Sequence, residues 1–327
     1  MTLVSVIVPT YNRAELLLLA LASIAEQDYR PIEVVVVDDG SQDDTAGVLE
    51  HSQRVLEQSG IALVSHALPA NSGVGTARNA GLRLASGPLL AFLDSDDLWR
   101  PSFLSTVVAL LARCSTCGLA FCGITAIDEH GAVVGLRELG LPAGRRQGHL
   151  SKPFEQLVRY MPFVTSGVVV RRDVLDRVGM FDETLARAQD WDLWYRVAKE
   201  FDFAYTPLPL VYKRAHREVR RLDTTTPACL LRVRLRHLDD VRDPSTRRLV
   251  AERCRRHQTL LLEQLMREGR REPEYDALLR FELGQTSARY RLGRRIYRGP
   301  SWLGRLYASA IGVAGIVRRR LGWHSQS

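Results

Sequence analysis

The stretch Leu89–Trp99 reads LLAFLDSDDLW: five apolar residues, then Asp94-Ser95-Asp96-Asp97, then two more apolar residues. A short continuous apolar run of this kind marks a strand buried on both faces, and the acids that stop it lie at the strand's carboxyl end. The pattern occurs twice upstream. Val4–Val8 (VSVIV) runs into Pro9-Thr10-Tyr11, and Ile32–Val37 (IEVVVV) runs into Asp38-Asp39-Gly40-Ser41. Between them, Asn12 is expected to cap a helix with Glu15 three residues on and an apolar face from Leu16 to Ile24. A second helix passes through Val48, Leu49 and Leu56, and Ile61–His66 reads as a third strand. The glycine-rich loop Asn71–Gly75 (NSGVG) precedes a short helix containing Ala77, Arg78, Asn79 and Leu82, with Gly87 as its stop. This β-α-β-α-β order predicts an α/β fold with parallel strands and helices on both faces of the sheet. In such sheets the ligand crevice lies beyond the strands' carboxyl ends, so the three polar strand ends are expected to converge.

The second half has a different texture. Leu119–Ile127 and Val164–Val170 read as strands, with a turn at Glu129-His130-Gly131 and a short helix ending at Gly179. Gly135–Lys152, rich in Gly and Arg, reads as a mobile loop. Asp190–Glu200 has helical spacing, and from Thr224 onward the pattern is helical and Arg-rich.

With 327 residues, 46% hydrophobic and 25% charged, the chain has enough apolar material for a core, which excludes disordered, collagenous and disulfide-scaffold classes. From Lys213 to Ser327 there are 27 Lys and Arg against 12 Asp and Glu, whereas residues 1–212 are net acidic. That asymmetry predicts a domain over 1–215 and a basic helical region over 216–327. The five cysteines include a lone C-x-x-C at Cys114 and Cys117 with no second ligand pair for zinc, and are expected to be reduced. Leu306–Val317 is apolar but, at about 18 Å as a helix, short of a bilayer's roughly 30 Å core. No secretory signal is evident at the N-terminus, which points to a cytoplasmic chain.

Asp94 and Asp96, two carboxylates at i and i+2 on a strand-terminal turn, suit one hard cation, although an acidic turn capping the next helix has the same pattern. Asp38 or Asp39 can accept hydrogen bonds from a ribose or a base, and the glycine loop at Gly73 can bring backbone N–H groups close to a ligand. Each feature alone is common in turns.

Together these segments resemble the family 2 glycosyltransferases, whose GT-A fold, a Rossmann-like mixed, mostly parallel sheet flanked by helices, binds nucleotide-diphospho-sugars. The matching stretches are Ser5–Leu17, Val34–Thr45, Asn71–Leu82, Leu89–Trp99, Thr165–Glu183 and Ala188–Val197, in order over about two-thirds of the chain. The resemblance implies that Pro9, Thr10 and Tyr11 line a nucleotide pocket near the base. Asp38 or Asp39 would meet the base or ribose, and Gly73, Arg78, Asp94 and Ser95 would lie along the nucleotide-sugar. Asp94 and Asp96 would hold the Mn²⁺ or Mg²⁺ that bridges the diphosphate. Asp190 matches the family's catalytic base in an inverting transfer, and its place at a helix start favours the ionised form. Gln189 stands where the family usually has Glu, and His216, in a loosely matched basic segment, is a candidate diphosphate contact. The Gln-x-x-Arg-Trp segment of processive synthases is absent, which favours transfer of a single sugar.

Leu303, Leu306, Ala310, Val313 and Val317, with Arg294, Arg295, Arg298, Arg305 and Arg318–Arg320, form a basic amphipathic pattern. It suits peripheral contact with an anionic membrane, as an enzyme acting on a lipid-linked or glycan acceptor would use, or a helix packed on its own domain. The Arg-rich helices from Arg232 to Arg256 read as solvated faces, with neither the aromatic interleaving nor the motifs of a nucleic-acid site. The rival readings are a non-catalytic nucleotide-sugar-binding scaffold, suggested by Gln189 alone, and a nucleotidyltransferase, whose glycine-rich basic loop after the first strand is replaced here by Pro9-Thr10-Tyr11-Asn12.

Overall fold

The structure, a computed structural model, describes residues 1–137, 147–215, 224–268, 273–281 and 297. Strands β1 (Val4–Thr10), β2 (Ile32–Asp38), β3 (Ala62–Ala67) and β4 (Leu89–Phe92) pair in parallel in the order β3-β2-β1-β4. Every residue of β1 and β4 is buried, which is why neither shows the polar alternation of a half-exposed strand. Helices α1 (Ala14–Ala25), α2 (Thr45–Gln58) and α3 (Val74–Leu84) provide the crossovers.

Beyond β4 the sheet is mixed. Strand β9 (Val168–Arg171) lies antiparallel between β4 and β6 (Cys117–Ile127). Strand β10 (Asp202–Arg214) then pairs in parallel with β6, so β6 and β10 again run with β1. Short strands β5 (Leu98–Trp99) and β8 (Gly148–Leu150) pair antiparallel with β10, and β7 (Val133–Arg137) with β6. Helices α4 (Phe103–Ala112), α5 (Phe154–Arg159), α6 (Arg172–Val178) and α7 (Gln189–Glu200) complete the flanks. The result is the expected mixed, mostly parallel sheet. The reversed β9 has a consequence for the site: its amino end, not its carboxyl end, lies beside the carboxyl ends of β1, β4, β6 and β10.

Three expectations are corrected. Asn12 does not cap α1. Its backbone has a φ of 49°, its Oδ1 accepts the Gln42 N–H at 2.7 Å, and the Ala14 N–H is taken instead by Asp43 Oδ2 at 2.9 Å. A carboxylate from the next loop thus satisfies the orphan donor, a pairing that sequence spacing does not encode. Within Gly135–Lys152, Gly135–Arg137 belongs to β7 and Gly148–Leu150 forms β8, because the edges of β6 and β10 offer unpaired backbone groups. Residues 138–146 lie outside the described residues. Finally, Cys114 and Cys117 form a disulfide in the α4–β6 connection, where a tight turn sets their Cα atoms 5.3 Å apart. Cys122, Cys229 and Cys254 are free and buried.

The chain divides into two compact units, Met1–Val219 and Arg220–Ser327. In the second, α8 (Thr225–His237), α9 (Pro244–Glu268) and α10 (Pro273–Arg280) pack around Leu261, Leu262, Leu265, Met266 and Leu279. The Leu303–Val317 segment and its flanking arginines lie outside the described residues, as does His216. No helix among the described residues is long and apolar enough to cross a membrane.

Helix α3 packs closely on the strand that leads into the site. A Cβ at Gly81 would fall 2.6 Å from Ile7 Cγ2, so only glycine permits this approach. Alanine would favour the helix intrinsically by about 1 kcal/mol, but overpacking of this kind costs about 1–3 kcal/mol. Gly81→Ala is therefore expected to lower stability in denaturant unfolding; equal or higher stability would show that the contact is not tight.

Candidate active site

Four loops meet at the carboxyl end of the parallel strands. The loop after β1 is stitched to the loop after β2: the Asn12 N–H donates to Ser41 Oγ at 2.8 Å, alongside the Gln42 and Ala14 bonds described above. Burial alone would raise the Asp43 carboxyl, but bonds from the Thr45 hydroxyl and the Ala14 N–H hold it below its ordinary value. The second loop in turn carries the glycine loop. Asp39 accepts the N–H groups of Ser72 at 2.7 Å and Gly73 at 2.9 Å. Gly40, at φ +79°, comes so near Ala70 that a Cβ would lie 2.9 Å from its backbone. Asp38 instead turns to its own loop and accepts the Ser41 N–H at 3.0 Å.

After β4 the chain makes the acidic turn, closed by the Asp97 N–H on Asp94 O at 2.9 Å. Carboxylate oxygens of Asp94, Asp96 and Asp97 lie within 4.8 Å of one another. Such crowding of buried negative charge requires partners, and three segments provide them. From α3, Arg78 Nη2 meets Asp94 Oδ1 at 2.6 Å, its guanidinium seated 5.3 Å from the Phe181 ring centroid. From the end of β10, Lys213 Nζ lies 3.0 Å from Asp97 Oδ2 and 3.3 Å from Asp94 Oδ2. From the loop after β1, Arg13 Nη1 lies 2.8 Å from Asp96 Oδ2. Arg214 adds its N–H to Asp97 Oδ1 at 3.1 Å, while its guanidinium takes the carbonyls of Asp96, Asp128 and Glu129.

The electrostatic consequences differ along the turn. Burial alone would raise the Asp94 carboxyl, but Arg78 and Lys213 outweigh it and hold Asp94 well below the usual carboxylate range. Asp97 is fully buried, and burial pushes its carboxyl up to about 7 despite Lys213, with Asp94 and Asp96 pushing the same way. Burial would lower Lys213, yet the three carboxylates raise it above its ordinary value.

The amino end of β9 closes the far side. Its leading turn, Thr165–Gly167, places the Ser166 hydroxyl to donate to Asp97 Oδ2 at 2.6 Å and to accept the Asp94 N–H at 3.2 Å. Trp99 Nε1 holds the Ser166 carbonyl at 2.7 Å. The preceding Thr165 hydroxyl donates to Asp190 Oδ2 at 3.3 Å. Asp190 sits in the first turn of α7, where its Oδ1 also accepts the Trp191 N–H at 2.9 Å. One turn of chain therefore links Asp190 to the acidic cluster. Gln189 points elsewhere: it is buried, and a Cβ at Gly75 would lie 3.6 Å from its Cγ, so it packs beneath the start of α3.

These elements enclose a cavity of about 410 Å³ lined by Pro9, Thr10, Tyr11, Asp39, Gly73, Arg78, Asp94, Ser95 and Asp96, with Asn71, Val74 and Ala77. Arg13, Arg187 and Lys213 also line it. Of the residues singled out from sequence, Asp38 faces its own turn, Asp190 stands beside Thr165 rather than in the cavity wall, and His216 is not among the described residues. Arg13, Arg187, Asp97 and Ser166 had been given no role at the site, and Lys213 entered only within the loosely matched basic segment that includes His216. Arg13 and Lys213 lie within stretches that had been noticed, but their ion pairs join residues 83 and more positions apart, and no local pattern signals that. The cluster fits a hard divalent cation. Asp94 and Asp96 offer carboxylate oxygens at the cavity wall, whereas Asp97, closed off from solvent, serves as charge support.

The profile of Glycosyl transferase family 2 matches residues 5–179. An uncharacterised glycosyltransferase of Nostoc sp. is 30% identical over 199 residues, 58% of this chain and 56% of that protein. A putative teichuronic acid biosynthesis glycosyltransferase of Bacillus subtilis is 33% identical over 129 residues, 39% of this chain and 49% of that one. The chain thus spans little more than half of the Nostoc relative. In structure, S. aureus TarS in complex with UDP superposes with a TM-score of 0.64 at 20% identity, over 100% of this chain and 93% of that one. A mannosyltransferase of Pyrobaculum calidifontis, in complex with GDP-Man and Mn²⁺, gives 0.50 at 21% identity over 96% and 75%. At these identities the likeness is one of fold.

Asp97 gives the site a measurable signature. A carboxyl with a folded-state pKa above its unfolded value binds its proton more tightly when folded. The folded state therefore loses stability as pH rises from about 4 through 7, and loses no more above that. In metal-free protein, Asp97→Asn should flatten this part of the stability profile whatever its effect on absolute stability. An unchanged slope would show that Asp97 is ionised throughout.

Proposed function

We propose that this chain, which belongs to glycosyl transferase family 2, is a glycosyltransferase: a metal-dependent, inverting enzyme that moves one sugar from a nucleotide-diphospho-sugar to an acceptor hydroxyl. The observation that carries this reading is the cavity itself. An acidic turn with two carboxylates on its wall is surrounded by Arg13, Arg78, Arg187 and Lys213, an arrangement for one hard cation and one polyanion. UDP, UDP-GlcNAc and GDP-Man bound to the structural neighbours support a nucleotide-sugar donor.

Asp94 and Asp96 would hold Mn²⁺ or Mg²⁺, which when bound neutralises charge on the departing diphosphate. Thr10, Tyr11 and Asp39 line the end of the cavity assigned to the nucleoside, with Gly73 presented by Asp39. Arg78, preset by Asp94 and Phe181, offers guanidinium N–H groups to the phosphates or sugar. Asp190 accepts the proton of the acceptor hydroxyl as its oxygen attacks the anomeric carbon. The new C–O bond forms as the bond to the diphosphate breaks, and the nucleoside diphosphate leaves from the opposite face. Thr165 orients the base by donating to the oxygen that is not bonded to the Trp191 N–H. Gln189, turned toward Gly75, takes no part in proton transfer. The acceptor is assigned as a glycan or lipid-linked hydroxyl. The basic C-terminal region is assigned to peripheral contact with an anionic membrane on the cytoplasmic side, supported by its 27 Lys and Arg against 12 acids from Lys213 onward.

Two measurements test this. A panel of nucleoside diphosphates and nucleotide sugars with Mn²⁺ should raise thermal stability for one base, by about 2.7 kcal/mol at a hundred times its Kd, and Asp96→Ala should abolish the shift. With that donor, Asp190→Asn should retain donor affinity and lose at least about 10²-fold in transfer rate. A panel without any shift, confirmed by direct binding, removes the donor site; a fully active Asp190→Asn removes the base.

A further inference from the structure

The cations around the acidic turn are not held alike. Arg78 is 6% exposed, wedged between Asp94 and the Phe181 ring, and Lys213 bridges Asp94 and Asp97 from the end of a sheet strand. Arg78 is thus shut in, and Lys213 is tied to two carboxylates at once. Arg13 differs. Its side chain is 41% exposed while that of its partner Asp96 is 5% exposed, so the ion pair joins a buried carboxylate to a side chain half in water. The backbone around Arg13 is pinned by the bonds of Asn12 and Ala14 to the loop after β2. Only the side chain is then free to change place.

We propose that Arg13 is an exchangeable positioning residue: in the empty site its guanidinium holds Asp96, an arriving divalent cation displaces it, and it then grips the donor's diphosphate within the same cavity. The proposal rests on the metal-dependent reading above. A guanidinium and a divalent cation on one carboxylate repel each other and compete for the same oxygen lone pairs, and at short range in a partly buried site that repulsion is weakly screened. The diphosphate supplies a new anion, and the guanidinium's planar fork suits phosphate oxygens. Metal and nucleotide are therefore coupled through Arg13: metal alone must evict it, nucleotide gives it somewhere to go, and the coupling is reciprocal.

The test uses the full chain and Mn²⁺ titrations read by the EPR signal of the free ion, with no nucleotide, with UDP and with GDP. Arg13→Ala, and Arg13→Gln as the milder variant, should bind Mn²⁺ alone about fivefold more tightly than the unaltered protein. The enhancement of Mn²⁺ affinity by the nucleotide that binds should shrink by a similar factor, and Arg13→Lys should lie between. A residue with a merely structural role would not tighten the binding of metal alone. If both variants bind Mn²⁺ no more tightly while Asp96→Ala abolishes binding, the exchange is wrong and the metal site stands. If Mn²⁺ binding is absent, or is indifferent to Asp96→Ala, the metal reading fails and Arg13's exchange fails with it.

Discussion

Three carboxylates with oxygens inside 4.8 Å of one another, two of them nearly closed to solvent, are the constraint around which the catalytic unit is arranged. Their mutual repulsion in a low-dielectric setting would unfold the turn unless cations reached it from outside. The turn itself, Leu93–Asp97, has no basic residue. Neutralisation therefore has to come from residues 13, 78, 213 and 214, and each must arrive at the same end of the sheet. A parallel arrangement meets that demand, because the carboxyl ends of β1, β4 and β10 and the start of α3 all open on one crevice.

The reversed strand β9 solves a different problem. A strand running with its neighbours would bring its carboxyl end, and the start of α6, to the cluster. Running against them, β9 brings its amino end there, and with it the Thr165–Gly167 turn. Ser166 then satisfies Asp94 and Asp97 together, and Thr165, one residue away, reaches Asp190 on α7. The spacing between the acidic cluster and Asp190 is thus set by a single peptide held by the Trp99 indole. Stiffness at this point matters, since productive alignment of reacting groups tolerates errors well under 1 Å.

What was legible in the sequence follows from how local the forces are. Strands β1, β2 and β4 announce themselves because burial on both faces leaves uninterrupted runs such as VVVV, and their terminal acids mark the crevice. Eight of the nine cavity residues named from Pro9 to Asp96 are strand ends or glycine-loop residues, whereas Arg78, inside α3, was named only through the family resemblance. Strand β10 passed unnoticed, since Pro207 and Pro209 break its pattern at shifts of register against β6. The α1 cap was misassigned because the choice between Asn12 and Asp43 depends on two loops meeting in space. The same holds for the cations: nothing near Arg13 in the chain indicates that its partner lies at Asp96.

Charge balance ties these observations to the proposed chemistry. Asp94, Asp96 and Asp97 are faced by Arg13, Arg78 and Lys213, and the upward displacement of Asp97 places its proton near the balance point at neutral pH. Each carboxylate of the cluster is thus met by a cation. A divalent cation alone would upset that balance, and a diphosphate alone would meet the carboxylates. A metal and a diphosphate arriving together add almost no net charge, and each relieves the other's conflict. On the proposed reading, a site preset in this way would discriminate against either component by itself and favour the pair, with the half-exposed Arg13 as the group among the cluster's partners best placed to rearrange.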